Sequence, residues 1–266
     1  MGEPEASGSE RLAGEIALVT GSTAGIGRAV AVELARQGAR VVVTGRDESR
    51  GAAVVDEVTN AGGDAAFVAA ELSDEQSCAG LVDAAVDRFG GLTVLVNNAV
   101  ASAVDERDAA VGEMATTAWE QTLRVNLTAP MWLCRAAIPH MRRAGHGAIV
   151  NVSSRQAERA SHGLAAYVAS KGGLNALTRS IAVDYARDGI RCNTVSPGYV
   201  LNERRDADMS DERRARLEGM HLTRLGAASD VAYAVVYLAS TESELVTGIN
   251  LQLDGGGSIA RGLVLG

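Results

Sequence analysis

The amino-acid sequence predicts an α/β fold in which a doubly wound, parallel sheet of seven strands is covered by helices on both faces. Short apolar runs alternate with segments of helical period along the whole chain, which is typical of buried parallel strands joined by helical crossovers. Of the 266 residues, 47% are hydrophobic, which is enough for one large core. Because no linker or repeat divides the chain, we predict a single domain.

The seven predicted strands are runs of apolar, largely β-branched residues separated by turn-forming residues. They span residues 16–20, 40–44, 65–69, 94–97, 148–153, 191–195 and 250–253. The predicted helices repeat their apolar residues at helical spacing, and several begin at a Ser, Thr or Asp that can cap free amides. They span residues 27–37, 49–60, 74–89, 117–143, 165–187 and 229–238. Gly38, Gly90 and Gly145 follow three of them as C-caps.

Two stretches, residues 100–116 and 199–226, follow neither period and are predicted to be loops. Long connections in a compact domain usually carry function. Within the second stretch, residues 203–224 mix arginines with acidic residues. They form either a lid over an anionic substrate or a solvated helix with Glu212 and Arg216 paired, and we favour the helix.

The composition excludes several classes of protein. A net charge of −8 and a pI near 5.1 argue against a nucleic-acid or membrane-surface partner, because both need a positive surface. Cys78, Cys134 and Cys192 form no C-x-x-C pair, so we expect no disulfide framework, no metal and a cytoplasmic location. Residues 1–11 are predicted to be a disordered tail before a domain at 12–266, and no apolar run reaches the roughly 18 residues of a membrane helix.

A glycine-rich turn directly follows the first predicted strand. Thr20-Gly21-Ser22-Thr23-Ala24-Gly25-Ile26-Gly27 leads into the first helix, with the spacing G-x-x-x-G-x-G. This is one residue wider than the usual dinucleotide fingerprint. In such a turn, backbone amides and the positive end of a helix can meet a pyrophosphate that Cβ atoms would obstruct. The context indicates a Rossmann-type dinucleotide site, and a turn made for packing alone is the alternative.

Tyr167 and Lys171 stand four residues apart, on one face of a predicted helix. A tyrosine with an ordinary pKa of about 10 is a poor acid–base catalyst near neutrality, and a cation beside it lowers that pKa. The pair Ser153-Ser154 ends the fifth predicted strand, at the sheet edge that carries the glycine turn. A hydroxyl there can hold a substrate oxygen while the tyrosine exchanges its proton. Ending a strand and capping a turn is the alternative role for these serines.

With these motifs the chain, from about Leu12 to the C-terminus, resembles the one-domain branch of the short-chain dehydrogenase/reductase family, in particular its 3-oxoacyl-carrier-protein reductases. The ordered motifs are Thr20 to Gly27, Asn97-Asn98-Ala99, Asn126, Ser154, Tyr167 with Lys171, Pro197-Gly198 and Asp254-Gly255-Gly256. The resemblance selects Ser154 over Ser153, because the family's catalytic serine lies thirteen positions before its tyrosine.

The resemblance implies an NAD(P)-dependent oxidoreductase that transfers a hydride between its cofactor and a carbonyl or alcohol. Tyr167 would be the general acid in reduction and the base in oxidation. Lys171 would lower the tyrosine pKa and hold the nicotinamide ribose, and Ser154 would polarise the carbonyl. The backbone of Asn126 would hold a water that relays protons. The residues implied to bind the cofactor are Gly21, Thr23, Gly25, Ile26, Gly27, Arg46, Glu71, Leu72, Asn98, Ala99, Tyr167, Lys171, Pro197, Gly198, Val200 and Asn202.

Three residues depart from the family's pattern. Val100 replaces the glycine of N-N-A-G, so a positive φ is disfavoured there. Asn202 replaces a threonine that bonds the carboxamide, although an asparagine can also donate and accept. Glu71 replaces the usual aspartate near the adenine. None of the four implied catalytic residues departs from the pattern.

The end of the second predicted strand predicts NADP(H) as the preferred cofactor, with NAD(H) as the alternative. NAD-preferring enzymes place a carboxylate there for the ribose hydroxyls, and this charge repels a 2′-phosphate. Gly45 occupies that position, and Arg46 next to it offers a charged fork suited to a phosphate. If Asp47 faces the ribose instead of Arg46, the preference reverses.

The expected substrate is a small carbonyl or alcohol. A 3-oxoacyl thioester or another ketone is favoured, and an NAD-dependent alcohol, sugar or steroid dehydrogenase is the alternative. A nucleotide-sensing regulator without turnover is disfavoured because all four catalytic residues are present, and fold alone does not decide function. An isomerase of the extended branch is disfavoured because no substrate domain follows the sheet. The resemblance also implies a homo-oligomer, a D2 tetramer built on the two long predicted helices.

Overall fold

The computed structural model describes residues 10–101, 108–202 and 205–260. Within them, seven strands form one sheet: β1 (Ile16–Val19), β2 (Arg40–Gly45), β3 (Asp64–Ala69), β4 (Val94–Asn97), β5 (Gly147–Val152), β6 (Ile190–Pro197) and β7 (Asn250–Leu253). All pairs are parallel, in the order β3-β2-β1-β4-β5-β6-β7. The predicted single-domain, doubly wound fold is confirmed, and the ends of the predicted strands differ from the observed ends by at most two residues.

Helices cover both faces of the sheet. In the described residues they are α1 (Gly25–Arg36), α2 (Glu48–Asn60), α3 (Glu75–Phe89), α4 (Thr116–Leu123), α5 (Ala129–Ala144), α6 (Ala165–Tyr185), α7 (Asp211–Glu218) and α8 (Ala228–Ala239). A π-helix, Arg124–Thr128, joins α4 to α5. α1, α2 and α8 pack on one face, and α3, α5 and α6 pack on the other. None of the helices in this part of the chain is both long and apolar enough to span a bilayer.

Each face of the sheet has its own apolar core. Along β1, Ala17 and Val19 pack into one core, whereas Ile16 and Leu18 pack into the other. This follows from the geometry of a strand, whose successive side chains point to opposite faces. Because helices cover both faces, the strands are apolar throughout rather than alternating, which makes them recognisable in the sequence.

A chain of buried polar side chains connects three strands with α6. Asn97 on β4 donates from Nδ2 to Asn151 Oδ1 on β5 (2.8 Å), and Asn151 donates to the Thr178 hydroxyl on α6 (2.8 Å). Thr194 on β6 also donates to Thr178 (2.8 Å), whose own hydroxyl donates to the Leu174 carbonyl (2.9 Å). Buried hydrogen bonds are costly to leave unmade. The chain of bonds therefore fixes α6 against the sheet.

The strand order reverses at β1, which has β2 on one side and β4 on the other. At such a switch point the crossovers leave in opposite directions and open a crevice outside the carboxyl ends of the strands. The glycine turn follows β1, and the predicted serine follows β5. The fold therefore brings the predicted site residues to one edge of the sheet.

Two predictions of local structure need correction. The helix predicted at 117–143 is interrupted by the π-helix, whose wider turn takes up an extra residue between α4 and α5. The stretch 199–226, predicted to be a loop with a solvated helix favoured within residues 203–224, contains such a helix, α7, over fewer residues. Only Leu217 of that helix is buried, as is typical of a solvated helix, and the lack of an apolar period left its ends unpredicted. The ion pair observed on α7 joins Arg214 to Glu218 (3.7 Å).

Two predicted segments fall partly outside the described residues. Of the predicted N-terminal tail, residues 1–9 lie outside them. Arg11 is described, and its Nε donates to Glu242 Oε1 (2.8 Å). Of the segment interpreted as a helix or a lid, residues 203–204 also lie outside.

Candidate active site

A cavity of about 780 Å³ opens at the carboxyl ends of the strands. Its walls are the turn between β1 and α1, the ends of β2, β4 and β5, the first turns of α6 and the segment after β6. All sixteen residues predicted to bind the cofactor lie on these walls. Ser154, Tyr167 and Lys171 line the same cavity, whereas Asn126 is buried and does not line it.

The glycine turn is shaped for a group that comes close to the backbone. Gly21 and Gly25 have φ values of +63° and +54°, which glycine adopts far more readily than other residues. A Cβ on Gly27 would lie 2.3 Å from the Gly21 carbonyl oxygen. The N-cap residue of α1 is Ala24, whose side chain caps no amide, so the first amides of α1 can meet an anion. The turn therefore fits the pyrophosphate of a dinucleotide.

Asn98 supports this turn from β4. Its side-chain amide donates to the carbonyl oxygens of Thr20 (2.9 Å) and Gly21 (3.2 Å). The backbone N–H groups of Asn98 and Ala99 donate to the Thr20 hydroxyl (2.9 and 3.0 Å). Asn98, predicted as a cofactor contact, thus lies on the cavity wall and also holds the turn in shape.

The end of β2 presents arginines to the cavity. Arg46 and Arg50 both line it. The Asp47 carboxylate accepts hydrogen bonds from the backbone N–H of Arg50 (3.0 Å), as the N-cap of α2, and from Arg50 Nε (2.6 Å). These bonds lower the pKa of Asp47. The sequence prediction missed Arg50, which lies in the first turn of α2 beside the N-cap Asp47.

Ser154 and Tyr167 meet at the cavity wall, one after β5 and the other in the first turn of α6. The Ser154 hydroxyl lies close enough to the Tyr167 phenol to influence its pKa. Burial raises the pKa of the Tyr167 phenol, and the neighbouring Ser154 hydroxyl opposes this rise. Ser153 instead donates its hydroxyl to the Lys171 carbonyl (3.3 Å), which gives it a structural contact.

Lys171 is the only lysine in the sequence, and it is buried one turn beyond the tyrosine. Its ammonium donates to the Val152 carbonyl at the end of β5 (2.8 Å) and lies 5.7 Å from the centre of the Tyr167 ring. Burial lowers the pKa of Lys171 from 10.5 to about 8. The structure thus places the cation beside the phenol, but the predicted lowering of the tyrosine pKa by Lys171 is not seen: burial raises this pKa, and Ser154 rather than Lys171 opposes the rise.

Asn126 lies within the π-helix, a type of segment frequent at functional sites. Its Oδ1 accepts from the Ala101 N–H (2.8 Å), and its Nδ2 donates to the Ser170 hydroxyl (3.1 Å). Ser170 in turn donates to the Tyr167 carbonyl (2.7 Å). The side chain of Asn126 therefore ties the segment after β4 to α6, a role that the sequence did not predict.

Two of the residues that depart from the family's pattern are accommodated without strain. No described residue other than glycine has a positive φ, so the backbone at Val100 avoids the left-handed region. Asn202 reaches toward the glycine turn, with Nδ2 3.1 Å from where a Cβ on Gly25 would lie. Its Oδ1 accepts from the Arg205 N–H (3.0 Å).

A polar cluster that the sequence did not reveal anchors the segment after β6. The Tyr199 hydroxyl donates to Asp206 Oδ1 (2.6 Å), and the Asn202 N–H donates to Oδ2 (2.9 Å). Arg205 pairs with Asp206 (2.9 Å) and covers the Tyr199 ring at 4.7 Å. The bond from Arg205 is the main reason why the pKa of Asp206 lies well below its ordinary value.

No group of three or more His, Cys, Asp or Glu side chains in the described residues is arranged to hold a metal ion.

Comparisons with known proteins agree with this geometry. The family model described as enoyl-(acyl carrier protein) reductase matches residues 21–258. A protein of Bradyrhizobium diazoefficiens, described as a probable short-chain type dehydrogenase/reductase, is 40% identical over 92% of this chain and 88% of its own length. The chain belongs to the short-chain dehydrogenase/reductase family.

Members of the short-chain dehydrogenase/reductase family similar to this chain differ in their named substrates. The 3-oxoacyl-[acyl-carrier-protein] reductase of Staphylococcus aureus is 34% identical over 90% of this chain and 96% of its own length. A solved structure of a candidate gluconate dehydrogenase from Agrobacterium tumefaciens has a TM-score of 0.87 and 34% identity, covering 94% of this chain and 98% of that one. Membership makes this chain an oxidoreductase that acts on alcohol or carbonyl groups with NAD(H) or NADP(H).

We expect the Lys171 ammonium to titrate near pH 8 in the protein without cofactor. Because Lys171 is the only lysine, protein grown with nitrogen-labelled lysine gives one side-chain NMR signal, which reports its protonation directly. A signal that titrates near the ordinary value of 10.5 would contradict the burial of its charge.

The lowered pKa of Lys171 also predicts how the folding stability of the protein changes with pH. The pKa of Lys171 is lower in the folded chain than in the unfolded chain, so the charged lysine opposes folding below about pH 8 and less so as the pH rises toward 10.5. Lys171→Met should therefore stabilise the protein at pH 7 by roughly 1–3 kcal/mol in urea titrations, with an advantage that shrinks in alkali. Arg179→Met, which removes an exposed cation from the same helix, is the matched control and should show no such pH dependence.

Proposed function

We propose that the protein reduces a ketone with NADPH, and oxidises the alcohol in reverse, with Tyr167 as the acid–base group. The observation that best supports this is that Ser154 and Tyr167 line the same cavity wall, with the Lys171 ammonium 5.7 Å from the tyrosine ring. The glycine turn at the other part of the same cavity fits a dinucleotide.

The bound dinucleotide supplies the hydride in reduction and accepts it in oxidation. In reduction, Ser154 and Tyr167 present two hydroxyl donors to the substrate oxygen, where negative charge develops. Because burial favours the neutral phenol, Tyr167 holds the proton that this oxygen takes. In oxidation, Tyr167 must first be the phenolate, and its oxygen then accepts the proton of the alcohol.

Lys171 and Asn126 support this proton exchange. The Lys171 ammonium favours the phenolate that forms when Tyr167 gives up its proton, and Lys171 also holds the nicotinamide ribose. Its pKa of about 8 allows the ammonium to release a proton near neutral pH. Asn126 holds, through its backbone in the π-helix, a water that returns protons to this pair.

Replacement of Tyr167 by phenylalanine tests this mechanism. Tyr167→Phe should lose turnover by at least about 100-fold, because the ring still packs but carries no proton to exchange. NADPH affinity, measured by fluorescence titration, should stay almost unchanged. Tyr185→Phe is the matched control, because Tyr185 lies on the same helix but not on the cavity wall. Retained turnover in Tyr167→Phe would contradict the mechanism.

NADP(H) is the proposed cofactor in preference to NAD(H). The Asp47 carboxylate caps α2 and pairs with Arg50, which supports Arg46 rather than Asp47 as the group that faces the ribose. Arg46 and Arg50 both line the cavity, so the site offers positive charge for a 2′-phosphate. Gly45 leaves no carboxylate at the strand end to repel it.

The cofactor preference is tested by kcat/KM with NADPH and with NADH on one substrate. The wild type should favour NADPH, and Arg46→Ala should lose roughly 10- to 100-fold with NADPH, mainly through KM, because a charge-assisted bond to phosphate is lost. Arg36→Ala, at the end of α1 and away from the cavity, is the control and should keep the preference. A wild type that favours NADH would show that Asp47 faces the ribose.

The favoured substrate is a 3-oxoacyl thioester or another ketone, and the named activity of the Staphylococcus aureus relative supports the thioester. The candidate gluconate dehydrogenase supports a sugar-acid alternative. A panel with a 3-oxoacyl thioester, cyclohexanone, a keto sugar and a ketosteroid, followed by the matching alcohols, distinguishes these classes. NADPH binding without turnover across the whole panel would favour a nucleotide-sensing regulator.

We also propose a D2 homotetramer that packs through α4, α5 and α6. Val183 on α6 is 80% exposed in the single chain, which fits a helix face that a second copy covers. Light scattering should give about four times the chain mass of 27.5 kDa. A stable particle of one chain mass would contradict the tetramer.

The three cysteines are free and buried, which is compatible with the proposed cytoplasmic location.

A further inference from the structure

The N-terminus of α6, the helix that carries Tyr167, is capped by a residue far away in sequence. The Asp108 carboxylate accepts from the backbone N–H of Ala166 at Oδ1 (3.0 Å) and from that of Tyr167 at Oδ2 (2.7 Å). The Ala165 N–H donates to the Ala109 carbonyl (3.3 Å). The N-cap residue of the helix, Leu164, contributes no side-chain cap. The first amides of α6 are therefore held by the segment that precedes α4.

This contact acts on the backbone of the tyrosine itself. Tyr167 is the third residue of α6, and a charge-assisted bond of 2.7 Å to its N–H restrains where its Cα and Cβ lie. The phenol has few torsions of its own, so its position with respect to Ser154 depends on this restraint. A misplacement of about 1 Å in a catalytic group can cost about 100-fold in rate.

We propose that Asp108 is a positioning residue, which holds the start of α6 so that the Tyr167 hydroxyl meets both Ser154 and the substrate oxygen. The inference rests on the proposed acid–base role of Tyr167. Asp108 binds no substrate or cofactor in this proposal, because it acts through the backbone of the tyrosine. The Asp108 contact ties the segment after β4 to the start of α6. The bond from the Ala101 N–H to Asn126 ties the same segment to the π-helix.

Three variants test the proposal. Asp108→Ala removes both acceptors, whereas Asp108→Asn keeps one acceptor oxygen and places an NH2 group where the second stood. Asp74→Ala is the matched control, because Asp74 caps α3 through the Ser77 N–H (2.9 Å) and no residue of α3 lines the cavity. Each variant is assayed with NADPH and the ketone of the panel that turns over fastest, NADPH affinity is measured without substrate, and thermal melting reports stability.

We expect kcat to fall by about 10- to 100-fold in Asp108→Ala and by less in Asp108→Asn, with NADPH affinity unchanged. Asp74→Ala should lower the melting temperature but keep the wild-type kcat. Wild-type kcat in Asp108→Ala, or a loss of NADPH affinity as large as the loss of kcat, would overturn the proposal. If Asp108→Ala does not fold, the kcat and the NADPH affinity of Asp108→Asn decide the question in the same way.

Tyr167→Phe, assayed in parallel, separates this inference from the proposed function. If Tyr167→Phe is inactive while both Asp108 variants keep the wild-type kcat, only the positioning role fails. If Tyr167→Phe keeps its turnover, the acid–base role fails and the positioning role fails with it.

Discussion

A cation buried without a counter-charge is the constraint around which this site is built. The Lys171 ammonium donates to the Val152 carbonyl, and no carboxylate pairs with it in the part of the chain that the structure describes. A charge in such a place costs free energy, and it persists only where the surrounding elements keep the side chain from turning out to solvent. The close packing of α6 on β5 therefore keeps this side chain, and the charge that it carries, inside the protein.

Three sets of hydrogen bonds secure α6 in that position. Thr178 fixes its middle to the sheet through Asn151, Ser170 fixes its side to Asn126, and the carboxylate of Asp108 fixes its first amides. A helix is stiff over this length, so each bond constrains the others. A catalytic group that is misplaced by about 1 Å can lose about 100-fold in rate, and these polar contacts at three places along α6 restrain the helix that carries Tyr167.

Local sequence patterns predict the sheet well, and the residues that they select for the site, Ser154, Tyr167 and Lys171, line one cavity. The strands are short, apolar and separated by helical periods, and Ser154, Tyr167 and Lys171 belong to motifs that are ordered along the chain. The cap of α6 could not be predicted, because Asp108 lies 58 and 59 residues before its partners. The ends of α7 could not be predicted, because a helix with one buried side chain has no apolar period. What escapes prediction are contacts between distant segments, which depend on tertiary structure.

The π-helix makes the number of residues between α4 and α5 as important as their identity. Each residue of an α-helix turns the chain by about 100°, so deleting one residue of Arg124–Thr128 and closing the gap as α-helix would rotate α5 by that angle relative to α4. Either Leu133 and Met141 would leave the core, or Asn126 would turn away from α6. A natural or engineered variant can change the side chains here more easily than it can change the length.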